Sequence, residues 1–205
     1  MNDSTHFDED LLNTLHTVAG AGIHNAARGF SSLLGHQIQV LNPVVRVVPI
    51  LEIPRYVGGP ESEAIGIYLR AEGDIAGQIM LIIPYQKGLE LVDLLMDVPA
   101  GTTKQLGSLE RSALGEVGNL TGTFFLNAVA NLTGTSVRPT PPAVIVDMVG
   151  AILDIIIATT GGVTDRVILM QAEFIDGERS VETNFWVIPD PTTLKTFRNG
   201  VPSEA

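Results

Sequence analysis

Two segments of the chain, residues 15–35 and 114–134, carry apolar residues at helical spacing with many glycines and alanines among them. Leu34 and Thr133 each precede a glycine, and a glycine after the last helical residue commonly ends a helix. The pattern therefore predicts two long helices, each with a face of small residues.

Strand-like apolar runs follow each predicted helix as a pair. The four runs are residues 64–71 and 75–84, then 166–174 and 181–189. Glu72-Gly73-Asp74 separates the first pair and Asp176-Gly177 lies between the second, and Asp or Gly between apolar runs is typical of a hairpin turn. A further helix is predicted after each hairpin, near residues 87–97 and 192–199.

The order helix, strand, hairpin, helix thus occurs twice. The separation from Gly20 to Pro43 equals that from Asn119 to Pro142, which indicates an internal duplication. We predict an α/β (α+β-like) fold in which two long helices pack on one shared, mainly antiparallel sheet. The strand order is left open.

The domain organisation follows from the duplication. The predicted parts are a flexible N-terminus at 1–10, a single domain at 11–199 made of two pseudo-symmetric halves, 11–98 and 105–199, and a tail at 200–205. A short segment rich in Pro, Gly and Thr, residues 99–103, is predicted to link the two halves.

Composition favours a compact globule without cysteine chemistry. Hydrophobic residues make up 45% of the chain and charged residues 17%, as in folded domains. The absence of cysteine excludes disulfides, thiolate catalysis and cysteine-based zinc sites. The formal net charge of -11 repels phosphate backbones and anionic lipids, so neither nucleic acid nor a membrane surface is expected as a partner.

Two features predict a cytoplasmic protein. Residues 1–10 lack the basic and apolar regions of a signal peptide. The apolar stretch 144–160 is interrupted by Asp147 and Asp154, each of which would cost about 2.5–3.5 kcal/mol at a bilayer centre. We expect a buried helix or strand pair here. The two aspartates are interpreted as surface positions on a short helix rather than paired catalytic carboxylates.

Three polar residues of the second long helix, Ser112, Glu116 and Asn119, are predicted to lie on one side of it. Helical residues advance by about 100° each, which places all three within an arc of about 60°. A Glu and an Asn at this spacing usually form solvated surface. No nucleophile–base pair accompanies them, and the spacing of the histidines indicates no metal site.

Glycines are unusually dense beside these residues, at Gly115, Gly118 and Gly122. Each costs a helix about 1 kcal/mol relative to alanine. Either the helix packs tightly on the sheet, or a bulky partner must approach its backbone beside Glu116 and Asn119.

The pattern Ser112-x-x-x-Glu116-x-x-Asn119, followed after a long gap by Pro142, resembles the signature of the CheC/CheX/FliY family of chemotaxis phosphatases. The run Glu-Val-Gly-Asn from Glu116 and the run Val-Ile-Pro-Asp-Pro from Val187 are also similar to the family. The resemblance extends from about residue 11 to 197. It implies a CheC-like fold and hydrolysis of the aspartyl phosphate on a CheY-type response regulator of a two-component system.

The resemblance also implies a role for each motif residue. Asn119 would position the attacking water, and Glu116 would dock against the active-site lysine of the regulator. Ser112 would be a peripheral binding contact, while Pro142 would only shape the chain. Because the regulator brings its own Mg²⁺, the chain is expected to need no cofactor.

The first half carries a degenerate copy of the motif. The positions matching Ser112, Glu116 and Asn119 hold Asn13, Thr17 and Gly20, and the motif proline alone is retained, as Pro43. Thr17 cannot form a salt bridge, and Gly20 has no amide to hold water. A single active site in the second half is therefore predicted.

Two other functions are compatible with the sequence. One is a catalytically weak binding module of the chemotaxis system, which by resemblance would dock, for example, the receptor deamidase CheD. The other is an unrelated α/β ligand-binding domain. This last alternative predicts a buried pocket instead of an exposed helix face.

Overall fold

The computed structural model describes residues 9–35, 37, 39–160, 166–176, 179–190 and 193. The helices of this part are α1 (Glu9–Leu34), a 3-10 turn (Ile50–Glu52), α2 (Ile53–Tyr56), α3 (Tyr85–Leu95), α4 (Ser108–Thr133) and α5 (Val149–Thr160). Both long helices begin about six residues earlier than the periodicity predicts, because their first turns are mostly polar. Gly35 and Gly134 follow them with φ of 75° and 64°, the left-handed conformation that ends many helices.

Within the described residues, seven strands form one sheet. They are β1 (Gln39–Pro49), β2 (Glu63–Gly73), β3 (Gly77–Pro84), β4 (Val137–Pro139), β5 (Ala143–Met148), β6 (Arg166–Asp176) and β7 (Arg179–Pro189). The order is β1-β6-β7-β3-β2-β4, with β5 also paired to β2, and every pairing is antiparallel. Both predicted hairpins, β2–β3 and β6–β7, are confirmed.

The two halves match element by element. Glu9 to Ser108 and Leu34 to Thr133 are both separations of 99 residues, so α1 and α4 have the same length and phase. Strand β1 has a register shift between Leu41 and Val44, and the equivalent chain is broken into β4 and β5 around Pro142. The internally duplicated fold with two long helices on a shared sheet is thus confirmed. The second predicted short helix, 192–199, lies outside the described residues except for Thr193, as do residues 1–8 and the tail.

The sheet separates two hydrophobic cores because side chains alternate along each strand. On one face, Ile67 and Leu69 of β2 pack beneath α4 and Ile65 packs against α3, in a core that also includes the buried side of α1. On the other face, Met80 and Ile82 of β3 join the buried side of α5 and the indole of Trp186 in a second core. α1 and α4 also pack on each other: a methyl group added at Gly29 would lie 2.7 Å from Cδ2 of Phe124.

The segment between the halves is anchored by a buried carboxylate. Asp93, near the end of α3, is only 1% exposed. It accepts hydrogen bonds from the backbone N–H groups of Gly101 (2.6 Å), Thr102 (3.1 Å) and Thr103 (2.8 Å). Burial raises its pKa, but hydrogen bonds from the side chain and backbone of Thr103 and from the other two amides outweigh this, so the pKa lies below its ordinary value. The bonds fix the path of the chain toward α4.

The apolar stretch 144–160 forms β5 followed by α5. Asp147 lies on the strand and Asp154 on the helix, both exposed, so the expectation that both sit on one short helix was wrong. The β5–α5 junction falls between them at Val149. Among the described helices, none is both long and apolar enough to cross a membrane.

Candidate functional site

Two glycines allow α4 to lie directly on strand β2. A methyl group at Gly118 would overlap Cγ2 of Ile67, and one at Gly122 would lie 2.7 Å from Cδ2 of Leu69. Both glycines are buried. Of the two explanations that the sequence allows, tight packing on the sheet therefore accounts for Gly118 and Gly122, and approach of a partner does not.

Gly115 differs from the other two glycines. It is half-buried, and a methyl group there would lie 3.9 Å from Cγ2 of Val144, an ordinary contact. Gly115 lines an open depression between α4 and the chain around β4 and β5. The small residue keeps this depression wide beside Glu116 and Asn119.

The structure brings the four predicted motif residues together around this depression. Ser112, Glu116, Asn119 and Pro142 all line it. The other lining residues are Ser108, Arg111, Gly115, Pro139, Pro141 and Val144. Ser112 and Glu116 are exposed and Asn119 is half-buried, so a partner can reach all three side chains.

Pro142 forms part of the wall of the depression. It lies in the segment between β4 and β5, and its Cβ is 3.3 Å from the position that a Cβ of residue 118 would occupy. Thr140 anchors this segment to β2: its N–H donates to the carbonyl of Arg70 (2.8 Å), and its hydroxyl accepts from the N–H of Arg70 (2.9 Å). The proline is thereby held against α4 at the level of Asn119.

The polar groups of the site are free for an external partner. Within the described part of the chain, no residue forms a hydrogen bond or ion pair with the side chain of Ser112, Glu116 or Asn119. The only charged side chains in the lining are Glu116 and Arg111. The site can therefore present one carboxylate, one amide and one guanidinium to a protein surface.

The equivalent face of α1 offers no such set. Asn13 and Thr17 are exposed, and the hydroxyl of Thr17 donates to the carbonyl of Asn13 (3.0 Å) within the helix. Gly20 is half-buried with nothing within 4 Å of the place where its Cβ would lie. Pro43 lies at the register shift of β1. The helix geometry is retained here while the reactive groups are absent.

The described residues hold no cluster of three or more metal-ligating side chains. His16 and His24 are exposed on α1, and Nδ1 of His24 lies 2.8 Å from the carbonyl oxygen of Gly20. His6 and His36 lie outside the described residues.

An apolar cavity of about 40 Å³ lies between α1, α4 and the centre of the sheet, beside Val18 and Phe125. Pockets for small organic ligands are typically about 300–1,000 Å³. The cavity is therefore too small for the buried ligand pocket that an unrelated ligand-binding domain would need.

Sequence reasoning missed Arg111 and the proline-rich wall. Arg111 lies directly before Ser112, but neighbouring residues of a helix point about 100° apart. Arg111 therefore falls outside the arc that Ser112, Glu116 and Asn119 share. The run Arg-Pro-Thr-Pro-Pro from Arg138 was the available signal for the wall, since prolines restrict the chain to extended conformations.

Comparison with known proteins finds relatives of this chain. A model of the CheC-like family matches residues 109–146, which contain the whole depression except Ser108. The CheY-P phosphatase CheC of Bacillus subtilis is 26% identical over 186 residues, covering 89% of each chain. The chain is similar to proteins of the CheC/CheX/FliY family.

Solved structures of this family share the fold. FliY of Thermotoga maritima superimposes with a TM-score of 0.72 at 17% identity, covering 93% of this chain and 96% of its own. A chain of the CheX–CheY–BeF₃–Mg²⁺ complex from Borrelia burgdorferi is matched with a TM-score of 0.52 at 14% identity, covering 83% of this chain and 96% of that one. The family includes phosphatases of CheY-P.

Proposed function

We propose that this CheC-like protein accelerates hydrolysis of the aspartyl phosphate on a CheY-type receiver domain, using one site on α4. The observation that carries the proposal is the convergence of Ser112, Glu116, Asn119 and Pro142 on one open depression. A shallow and exposed site suits a protein substrate, since a folded receiver cannot enter a closed pocket. The proposal assigns the chain to chemotaxis signalling in the cytoplasm.

Asn119 is assigned the task of positioning the attacking water. An acyl phosphate is already activated, so a helper protein contributes mainly by holding water in line with the phosphorus. The amide can donate and accept hydrogen bonds and carries no charge, so it can enter an anionic pocket without repulsion. Its half-buried position against the Pro142 wall restricts its rotamers and favours a single orientation.

Glu116 is assigned to docking. It lies one helical turn from Asn119, and its exposed carboxylate can pair with the lysine of the receiver's active site. This pair would set how far along α4 the receiver binds. Ser112, one turn further, would add a hydrogen bond at the periphery, and the Mg²⁺ of the reaction would be bound by the receiver.

The test is a phosphate-release assay on a phosphorylated receiver domain, with and without the protein. We expect faster release with the wild type, and no acceleration with Asn119→Ala although that variant still binds the receiver. Asn127→Ala is the matched control, because Asn127 is an exposed asparagine two turns further along the same helix. Equal acceleration by Asn119→Ala and the wild type would refute the assignment.

A binding module is the second candidate, and the loss of the motif from α1 is the observation that favours it. A protein that has lost one site can lose catalysis at the other while keeping the docking surface. This candidate predicts a wild type that binds the phosphorylated receiver, or CheD, without changing the rate of phosphate release. The same assay, combined with a binding measurement for each partner, separates the two functions.

A further inference from the structure

Arg111 is a free cation at the edge of the candidate site. It lines the same depression as Glu116 and Asn119, and its side chain is exposed. Within the described residues, no carboxylate forms an ion pair with it. Nothing in the described fold therefore accounts for its charge.

The charge stands out against the rest of the molecule. The chain carries 12 Lys and Arg against 23 Asp and Glu, so an unpaired arginine in this depression is a local exception to an acidic surface. The equivalent position in α1, 99 residues earlier, is Leu12. The cation thus accompanies the intact motif and is absent from the degenerate one.

Its position places Arg111 outside the reacting centre. Eight residues separate it from Asn119, which corresponds to about 12 Å along the helix axis. It also lies about 140° around the helix from Glu116, on the flank of the depression near Gly115. In the proposed complex, a guanidinium at this place would meet the surface of the docked protein, while Asn119 would meet the phosphoryl group.

We propose that Arg111 is a positioning residue, which pairs with a carboxylate on the receiver surface beside its phosphorylation pocket. This inference rests on the proposed function. A guanidinium forms bidentate hydrogen bonds with a carboxylate in a fixed plane, so the pair restricts orientation as well as adding affinity. Together with Glu116, it gives two contacts of opposite charge on two flanks of the depression, and an acidic protein gains a local attraction for an anionic partner.

The experiment measures phosphate release against receiver concentration, and Kd for a receiver activated with beryllofluoride. Arg111→Glu should raise both KM and Kd at least tenfold and leave kcat within about twofold. Arg111→Lys keeps the charge but not the bidentate geometry, so it should recover only part of the affinity. Arg28→Glu is the matched control, because Arg28 is an exposed arginine on the other long helix and its reversal changes the net charge equally. It should change KM and Kd less than twofold.

Two results would overturn the inference. Arg111→Glu could leave Kd unchanged, whatever its effect on kcat, or Arg28→Glu could weaken binding as much as Arg111→Glu, which would assign the effect to overall charge. If the wild type binds the activated receiver without accelerating release, the phosphatase proposal fails, whereas the Kd comparison still decides the role of Arg111. Rescue of Arg111→Glu by an acid-to-lysine substitution on the receiver would support the pair directly.

Discussion

Gly118 of α4 lies so close to Ile67 of β2 that one added methyl group would overlap the isoleucine side chain. The same methyl group would come 3.3 Å from Cβ of Pro142. The contact therefore sets both the height of α4 above the sheet and its distance from the wall of the depression. The position of Asn119, the next residue, depends on both distances.

Gly118→Ala should destabilise the protein and weaken the site. Overpacking a core costs about 1–3 kcal/mol, which exceeds the gain of about 1 kcal/mol in helix propensity. We expect a free energy of unfolding lower by about 1 kcal/mol and reduced phosphatase stimulation, because α4 must shift away from Ile67. Chemical denaturation and the phosphate-release assay measure the two effects.

Gly115→Ala is the control for this substitution, since a methyl group there makes only an ordinary contact 3.9 Å from Val144. It should raise the free energy of unfolding by about 0.5–1 kcal/mol through helix propensity. If Gly118→Ala were stabilising by the same amount, the glycine would not be needed for packing on the sheet.

Substitutions in the degenerate site should leave activity unchanged. Thr17→Ala removes only a hydrogen bond within α1. Gly20→Ala adds a methyl group where no atom lies within 4 Å, and should stabilise the protein by about 0.5–1 kcal/mol. Phosphate release with each variant is compared with the wild type, and a large loss of rate would mean that the first half still contributes to catalysis.

Local features made most of the elements predictable. Apolar residues recur at helical spacing in the two long helices, and turn residues at Gly73 and Asp176 separate the strands of each pair. Both hairpins could therefore be predicted. The strand order could not, because pairings such as Val45 with Met170 join residues far apart and leave no mark in a local window. The prediction of the fold therefore rested on the internal duplication, which is visible in the equal separations of Gly20 from Pro43 and of Asn119 from Pro142.

For the candidate site, too, local spacing predicted one part, and long-range packing decided the rest. Ser112, Glu116 and Asn119 share a helix face by spacing alone, and the structure brings them together with Pro142. The direction of that face relative to the sheet is set by packing, which is why the sequence left open whether Gly118 and Gly122 face the sheet or a partner. Asp93 was missed because its partners are backbone amides, which every sequence supplies.

Asp93→Asn should lower the free energy of unfolding at neutral pH, and this loss should be smaller in acid. The folded-state pKa of Asp93 lies below its ordinary value of 3.8, so the carboxylate contributes stability that is present above the unfolded pKa. This contribution is lost as the pH falls through the folded pKa. Replacing a buried acceptor of three N–H groups costs about 1–3 kcal/mol, so we expect a loss of that size at pH 7.

Denaturation curves of wild type and Asp93→Asn between pH 7 and pH 3 measure this effect, and the difference in unfolding free energy should shrink below about pH 4. Asp154→Asn is the control, since Asp154 is exposed on α5, and should match the wild type within about 0.5 kcal/mol throughout. A difference for Asp93→Asn that is constant with pH would contradict an ionised carboxylate at this position.

Restoring the lost groups on α1 should create a second site. α1 and α4 have equal length and phase, Thr17 is exposed, and the space beside Gly20 is open, so Thr17→Glu with Gly20→Asn can present both groups without repacking. Made in an Asn119→Ala background, in which we expect no stimulation, the pair should recover a measurable fraction of phosphate release. Thr17→Gln with Gly20→Asn is the matched variant without the carboxylate, and it should recover none if docking to a lysine is required. Absence of recovery in a folded Thr17→Glu/Gly20→Asn protein would mean that the carboxylate and amide are insufficient, and that the wall around Pro142 or the cation at Arg111 is needed as well.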